Sequence, residues 1–303
     1  MTLTTLDRYR GCLLGLACGN AVGTTVEFSP RGSFPVVTDM VGGGPCSLLA
    51  GQWTDDTSMA LCLGQSLLDK QGFDALDQMT RYLKWMRHGY FSSTGRCFDI
   101  GLTVRDALLR FEHNGKPFAG LTNPQTAGNG SLMRLAPVVL YFFPVVDEVV
   151  GYCAESSRTT HGAAEAVECC KLFGRLLCNA LRGEEKPSVL RAQDLTLHEP
   201  KVAAIADMSY AGKSRDKILG SGYSVQSLEA ALWCFHSTES FGEAILMAAN
   251  LGDDADTTAA ITGQIAGAYY GVDGIPGEWL AKLHLRTQIE AMADALYGTA
   301  SRR

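Results

Sequence analysis

The chain has 303 residues, 46% hydrophobic and 19% charged, enough apolar material for a sizeable core, which excludes general disorder. Lys and Arg number 26 against 32 Asp and Glu, a net charge of −6 with His neutral, which gives no support to a general nucleic-acid binder, whose footprint would be basic. No apolar run reaches the ~18 residues of a membrane-spanning helix. The first twenty residues make no clear secretory signal, because Gly11, Gly15 and Gly19 interrupt the apolar stretch.

In chain order, residues 6–22 read as a helix with Leu13, Leu14, Leu16 and Ala17 apolar and small residues on another face, so close packing against a neighbour is expected. Residues 28–53 hold three Pro and several Gly and read as a long loop, a length that in compact domains often belongs to a lid or binding segment. Helical periodicity returns at 56–70, 74–88 and 97–112. A loop follows at 113–129, then helices at 130–143, 147–157 and 162–182. The run VVLYFF inside 130–143 suits either helix or strand. Residues 183–200 read as a plain surface connection, and further helices are expected at 225–237, 240–251, 256–271 and 283–297. Alternating β-branched patterns are scarce, and no linker or repeat divides the chain. The expected fold is all-α, a single multi-helix orthogonal bundle over 1–303. Ten Cys without a C-x-x-C pair, most of them inside apolar stretches, read as buried free thiols and suit a reducing cytoplasm.

Two acidic clusters stand at helix starts: Thr54-Asp55-Asp56-Thr57 and Asp253-Asp254-Ala255-Asp256-Thr257. N-capping explains one such residue per helix. It does not explain three carboxylates in four positions, whose mutual repulsion calls for a cation. Carboxylate and hydroxyl oxygens are hard ligands suited to Mg²⁺ or Mn²⁺, and convergence of the two starts would create a dinuclear cleft. Gly128-Asn129-Gly130-Ser131, running into Leu132-Met133-Arg134, offers backbone N–H groups to a phosphate, or serves only as a turn before a helix. His161 begins a long helix and reads equally as structural or as a pocket residue. No H-E-x-x-H or G-x-S-x-G motif is present.

Taken in order, Thr54–Thr57, Gly128–Ser131 with Arg134, Thr160-His161, and Asp254–Thr257 followed by TGQIAGAYYG resemble the ADP-ribosylglycohydrolases, from about Tyr9 to about Leu296. The resemblance implies an all-α domain with two Mg²⁺ or Mn²⁺ ions in a cleft, hydrolysing the bond between ADP-ribose and a side chain or second ribose. It implies Thr54, Asp55, Asp56, Asp254, Asp256 and Thr257 as metal ligands. Glu27 and Asp99 are implied near the scissile bond, with Asp55 or Asp56 acting as base. Asn129, Gly130, Ser131 and His161 are implied against the ribose and phosphates, and Gly222-Tyr223 against adenine. Asn20 stands where the family often has Asp, and Leu102 where arginine-specific relatives often have Asn.

The implied activity is metal-dependent removal of ADP-ribose from a modified side chain, first of all arginine on a target protein. The alternatives are an O-linked substrate (serine, O-acetyl or poly-ADP-ribose), an inactive ADP-ribose binder, or a generic metal phosphohydrolase. The expected partner is an ADP-ribosylated protein, with no nucleic acid or membrane, acted on by a monomer.

Overall fold

The computed structural model of the chain describes residues 3–303, among which fourteen α-helices and only isolated β-bridges occur. The helices are α1 (Thr5–Gly23), α2 (Asp55–Lys70), α3 (Ala75–His88), α4 (Leu102–Asn114), α5 (Ala136–Phe142), α6 (Val146–Arg158), α7 (Ala164–Leu181), α8 (Lys186–Val189), α9 (Pro200–Ala206), α10 (Ser224–His236), α11 (Phe241–Ala249), α12 (Ala255–Tyr270), α13 (Gly277–Lys282) and α14 (Arg286–Ala300). The all-α expectation holds, and VVLYFF resolves as helix.

Several boundaries differ from expectation for local reasons. The helix expected at 97–112 starts at Leu102: Asp99 sits at φ 60° and Gly101 is the extended N-cap, so Asp99 belongs to a loop. The helix expected at 130–143 starts at Ala136. Leu132 and Met133 first donate their N–H groups to the Asn129 carbonyl in a turn, and Pro137 then suits the first helical turn. The supposed connection 183–200 contains α8. The helices α8, α9 and α13 are too short to display an apolar period, and the last helix runs three residues later than expected because Leu285 takes φ 54°.

The arrangement of the site follows from one helix pair. Gly11, Gly15, Gly19 and Gly23 recur every four residues and form one stripe along α1. A Cβ added at any of them would strike the backbone carbonyl of Gly267, Gly263, Ala259 or Ala255 respectively. The relation is reciprocal, since a Cβ at Gly263 or Gly267 would strike the carbonyl of Gly15 or Gly11. The two helices therefore run antiparallel with their backbones touching, and the C-terminal end of α1 meets the N-terminal end of α12.

A single large apolar cluster running from Tyr9 to Ala300 surrounds this pair. Gln264 of α12 reaches sideways to fix the glycine loop: its Oε1 accepts from Ala136 N (2.8 Å) and its Nε2 donates to Met133 O (2.9 Å). All ten cysteines are free and eight are buried, as expected of thiols used as small hydrophobes. Among the described residues no helix is long and apolar enough to cross a membrane.

Candidate active site

The start of α2 joins the end of α1 and the start of α12 through Asn20. Its Oδ1 accepts from Thr54 N (2.9 Å) and Thr57 Oγ1 (3.0 Å). Its Nδ2 donates to Thr54 Oγ1 (2.7 Å) and Asp256 Oδ2 (3.2 Å). Thr54 Oγ1 lies 2.8 Å from Asp256 Oδ2 and 3.1 Å from Asp56 Oδ2, so its one proton serves two carboxylates. On the other side Asn129 Nδ2 donates to Asp254 Oδ2 (2.7 Å), and Asn129 N donates to Gly222 O (3.0 Å). The two acidic clusters and the glycine loop thus converge on one cavity of about 430 Å³.

Neither acidic start uses its side chains as ordinary caps. Thr54 and Asp254 occupy the N-cap positions of α2 and α12, and neither side chain accepts from a backbone N–H of its own helix. Instead Asp56 Oδ1, Asp256 Oδ1 and Glu27 Oε2 are buried with no hydrogen-bond partner. One carboxylate oxygen each from Glu27, Asp99 and Asp256 lies within 4.8 Å of the others.

Burial pushes every one of these acids up, and their neighbours' charges add to it. Glu27 is pushed up to about 12 by burial and then by Asp256 and Asp99. Asp56 rises to about 8 by burial and then by Asp254 and Asp99, with the Thr54 hydroxyl opposing. Asp55 and Asp256 rise well above the usual range, and Asp99 and Asp254 rise less, in each case first by burial. No basic side chain pairs with these carboxylates among the described salt bridges. Orphaned, desolvated, mutually repelling oxygens fit divalent cations, whose charge removes all three penalties together.

The cavity is lined by Glu27, Asp55, Asp99, Asp254, Asp256 and Thr257 on the acidic side and by Gly128, Asn129, Gly130, His161 and Gly222 opposite. Thr54 and Asp56 lie just behind the acidic side, fully buried. Two of the residues singled out in the sequence stand elsewhere. Ser131 turns away from the cavity to Ser157 Oγ (2.9 Å) and Cys170 Sγ (3.4 Å). Tyr223 lies beside the lining, its hydroxyl donating to Glu165 Oε2 (2.5 Å) and accepting from Lys201 Nζ (2.9 Å), with Lys201 also 5.1 Å above its ring.

The sequence reading missed Phe28 and noted Asn20 and Leu102 only as departures from the family's usual residues. Phe28 and Leu102 line the cavity while 66% and 68% exposed, an unusual state for large apolar side chains at a polar cleft. Phe28 is held at φ 59° because its N–H donates to Asp253 O (2.7 Å) while Asp253 N donates to Ser29 O (2.9 Å). A side chain at Gly252 would meet the Ser29 carbonyl at 2.6 Å, so the glycine permits this clasp. The signal available was positional: Phe28 directly follows Glu27 at the start of a long loop.

This helical scaffold, with carboxylates at two converging helix starts facing a backbone-rich glycine loop, has counterparts among known proteins. The chain belongs to the ADP-ribosylglycohydrolase family, a family of hydrolases whose model matches residues 1–303. It is 46% identical over 295 residues to the ADP-ribosylarginine hydrolase Tri1 of Pseudomonas putida (strain GB-1), covering 97% of this chain and 79% of that protein. It is 32% identical over 300 residues to the ADP-ribosyl-[dinitrogen reductase] glycohydrolase of Rhodospirillum rubrum, covering 97% of both. A chain of the solved "ADP-ribosylglycohydrolase-related protein complex" is 44% identical and superposes with a TM-score of 0.87 over 98% of this chain and 99% of that one.

Proposed function

We propose that this chain, acting as a single unit over 1–303, removes ADP-ribose from modified arginine on a protein. The observation that carries the hydrolytic reading is the set of orphaned carboxylate oxygens on Glu27, Asp56 and Asp256 beside the Asn129 loop. The arginine linkage rests on likeness to the hydrolases named above. Thr54, Asp55, Asp56, Asp254, Asp256 and Thr257 would hold two divalent cations, Mg²⁺ or Mn²⁺ by the hardness of their oxygens. Bound there, the ions supply Lewis acidity and positive charge at neutral pH.

The chain's own groups do the rest. The reaction breaks the bond between the anomeric carbon and the guanidine nitrogen, adds the oxygen of water to that carbon, and returns one proton to the nitrogen. Asp55, at the cavity wall, accepts a proton from the attacking water. Glu27 faces Asp99 within 4.8 Å, and this pair is placed to orient the leaving nitrogen and supply its proton. With cations bound the cleft acids would be ionised, and their charge would favour the oxocarbenium-like charge that develops on the ribose. The backbone N–H groups of Gly128 and Gly130 face ribose and phosphate oxygens, while the Asn129 amides spend their protons on Gly222 O, Ser227 Oγ and Asp254 Oδ2 and so hold the loop in place.

Eight buried free thiols support a cytoplasmic, reducing setting. A net charge of −6 supports a protein rather than a nucleic-acid partner, and a cleft built within one chain supports a monomer. The test is release of free ADP-ribose from a protein modified on arginine, with Mg²⁺, Mn²⁺ or EDTA. Metal-dependent release supports the proposal. Release only from serine-linked or O-acetyl-ADP-ribose moves the linkage, and binding without release replaces the enzyme with a binder.

A further inference from the structure

Arg134 is fully buried and no carboxylate pairs with it. Its Nη1 donates to Gly130 O (2.9 Å), its Nη2 donates to Thr160 Oγ1 (2.8 Å), and its guanidinium lies over the Tyr82 ring at 4.6 Å. Thr160 is also fully buried, and its Oγ1 lies 2.8 Å from Nδ1 of His161. His161 is 2% exposed and lies against the glycine loop: a Cβ on Gly128 would stand 3.3 Å from its Nε2, and one on Gly130 would stand 2.9 Å from its Cε1.

Counting donors settles the protons. A guanidinium only donates, so Thr160 Oγ1 accepts from Arg134 and has one hydroxyl proton to place. Besides Arg134, the one group within hydrogen-bond reach of that hydroxyl is His161 Nδ1. If Nδ1 carried a proton, the Thr160 hydroxyl would be a buried donor without an acceptor, which is costly. Nδ1 is therefore the acceptor. Burial, then Arg134, holds the imidazole pKa down to about 3, so the ring is neutral and its single proton sits on Nε2, on the cavity side.

We propose that Arg134 and Thr160 are positioning residues that lock His161 as the Nε2–H tautomer, so that it presents one neutral N–H donor to a lone-pair oxygen of the ligand above the Gly128–Gly130 loop. The ligand is an ADP-ribosyl group only through the function proposed above, whereas the tautomer stands on the hydrogen-bond geometry alone. Through Gly130 O the same guanidinium fixes the loop, so one cation sets both the backbone and the ring that the ligand meets. The arrangement also bars His161 from binding a cation through Nε2.

The test reads the tautomer directly. In ¹⁵N-labelled protein at neutral pH, two- and three-bond ¹H–¹⁵N correlations, assigned to His161 by comparison with His161→Gln, should show a bare Nδ1 and a protonated Nε2. A protonated Nδ1 overturns the proposal, and this reading needs no folded variant other than the one used for assignment. Thr160→Val keeps the shape and removes the hydroxyl. It should mix the tautomers and weaken ADP-ribose binding by about tenfold, the loss of roughly one hydrogen bond. Thr160→Ser should restore both the spectrum and the affinity. Equal affinity in the Val and wild-type proteins, or a failure of Ser to rescue, overturns it too. If wild-type protein binds no ADP-ribose, the proposed function fails while the tautomer measurement still decides the relay.

Discussion

The Ser, Thr and Asp residues at the N-caps of the α-helices are used in two ways. Thr4, Asp74 and Ser240 spend their side-chain oxygens on backbone N–H groups at the starts of α1, α3 and α11, within 2.9–3.2 Å. Thr54 and Asp254 hold the same position on α2 and α12 and make no such bond. The residue types are alike and their uses differ. At the first kind of start the side chain completes the helix, and the gain is stability. At the second the helix presents acids to a cavity, and the gain is a site whose oxygens remain free to bind something else.

Substitutions should separate the two kinds. The largest effect is expected from Asp55→Ala, which should lower turnover by about 10³-fold or more without loss of helical circular dichroism, the range seen when a key electrostatic group is removed. Full activity in this variant would place the acids among ordinary caps. Next comes the helix seam that brings the acidic starts together. Gly263→Val drives a branched side chain onto the Gly15 carbonyl and should destabilise by about 3 kcal/mol in urea unfolding. An unchanged midpoint would show that α1 and α12 are not held backbone to backbone.

A third measurement uses pH. The acids around the cleft have folded-state pKa values raised above their unfolded ones, so between those values the folded protein binds more protons than the unfolded chain. Metal-free stability should therefore fall as pH climbs from near 4 through about 8, where Asp56 gives up its proton, by about 1.4 kcal/mol per unit for each proton concerned. Mn²⁺ or Mg²⁺ should raise Tm more at pH 8 than at pH 6. An equal gain at both values would separate ion binding from these carboxylates. The smallest effect belongs to the first kind of start: Asp74→Ala should cost about 1 kcal/mol and leave turnover unchanged.

The acidic starts were legible because Thr-Asp-Asp-Thr and Asp-Asp-Ala-Asp-Thr lie against strongly apolar helices, and too many carboxylates for a cap is visible without coordinates. The close-packed face of α1 was legible as small residues. Its partner was not, because Gly15 meets Gly263 through tertiary packing and a four-residue glycine spacing does not name what it packs against. Asp99 was placed on a helix because the apolar pattern of α4 continues backward through Ile100 and Cys97. The turn at φ 60° that points Asp99 to the cleft is a backbone state that pattern cannot reveal. Ser131 looked like part of a phosphate loop by proximity to Gly130, and the turn at 129–133 sends it to the opposite side. Asn20 drew notice as a missing charge; its value lies in having a donor and an acceptor on one buried side chain, which Asp in its ionised form lacks.

The seam between α1 and α12 also has a bearing on biosynthesis. Arg8 donates to the Ala268 carbonyl at 3.0 Å across 260 residues of chain, and the glycine stripe follows the same long-range pairing. Closing so large a loop carries an entropy cost that only later contacts offset, and non-local topology slows folding. Asp55 and Asp56 leave the ribosome long before Asp254 and Asp256 exist. A nascent chain cannot assemble the cleft from its first half, so hydrolytic competence arrives only when the last quarter of the polypeptide docks onto its first helix.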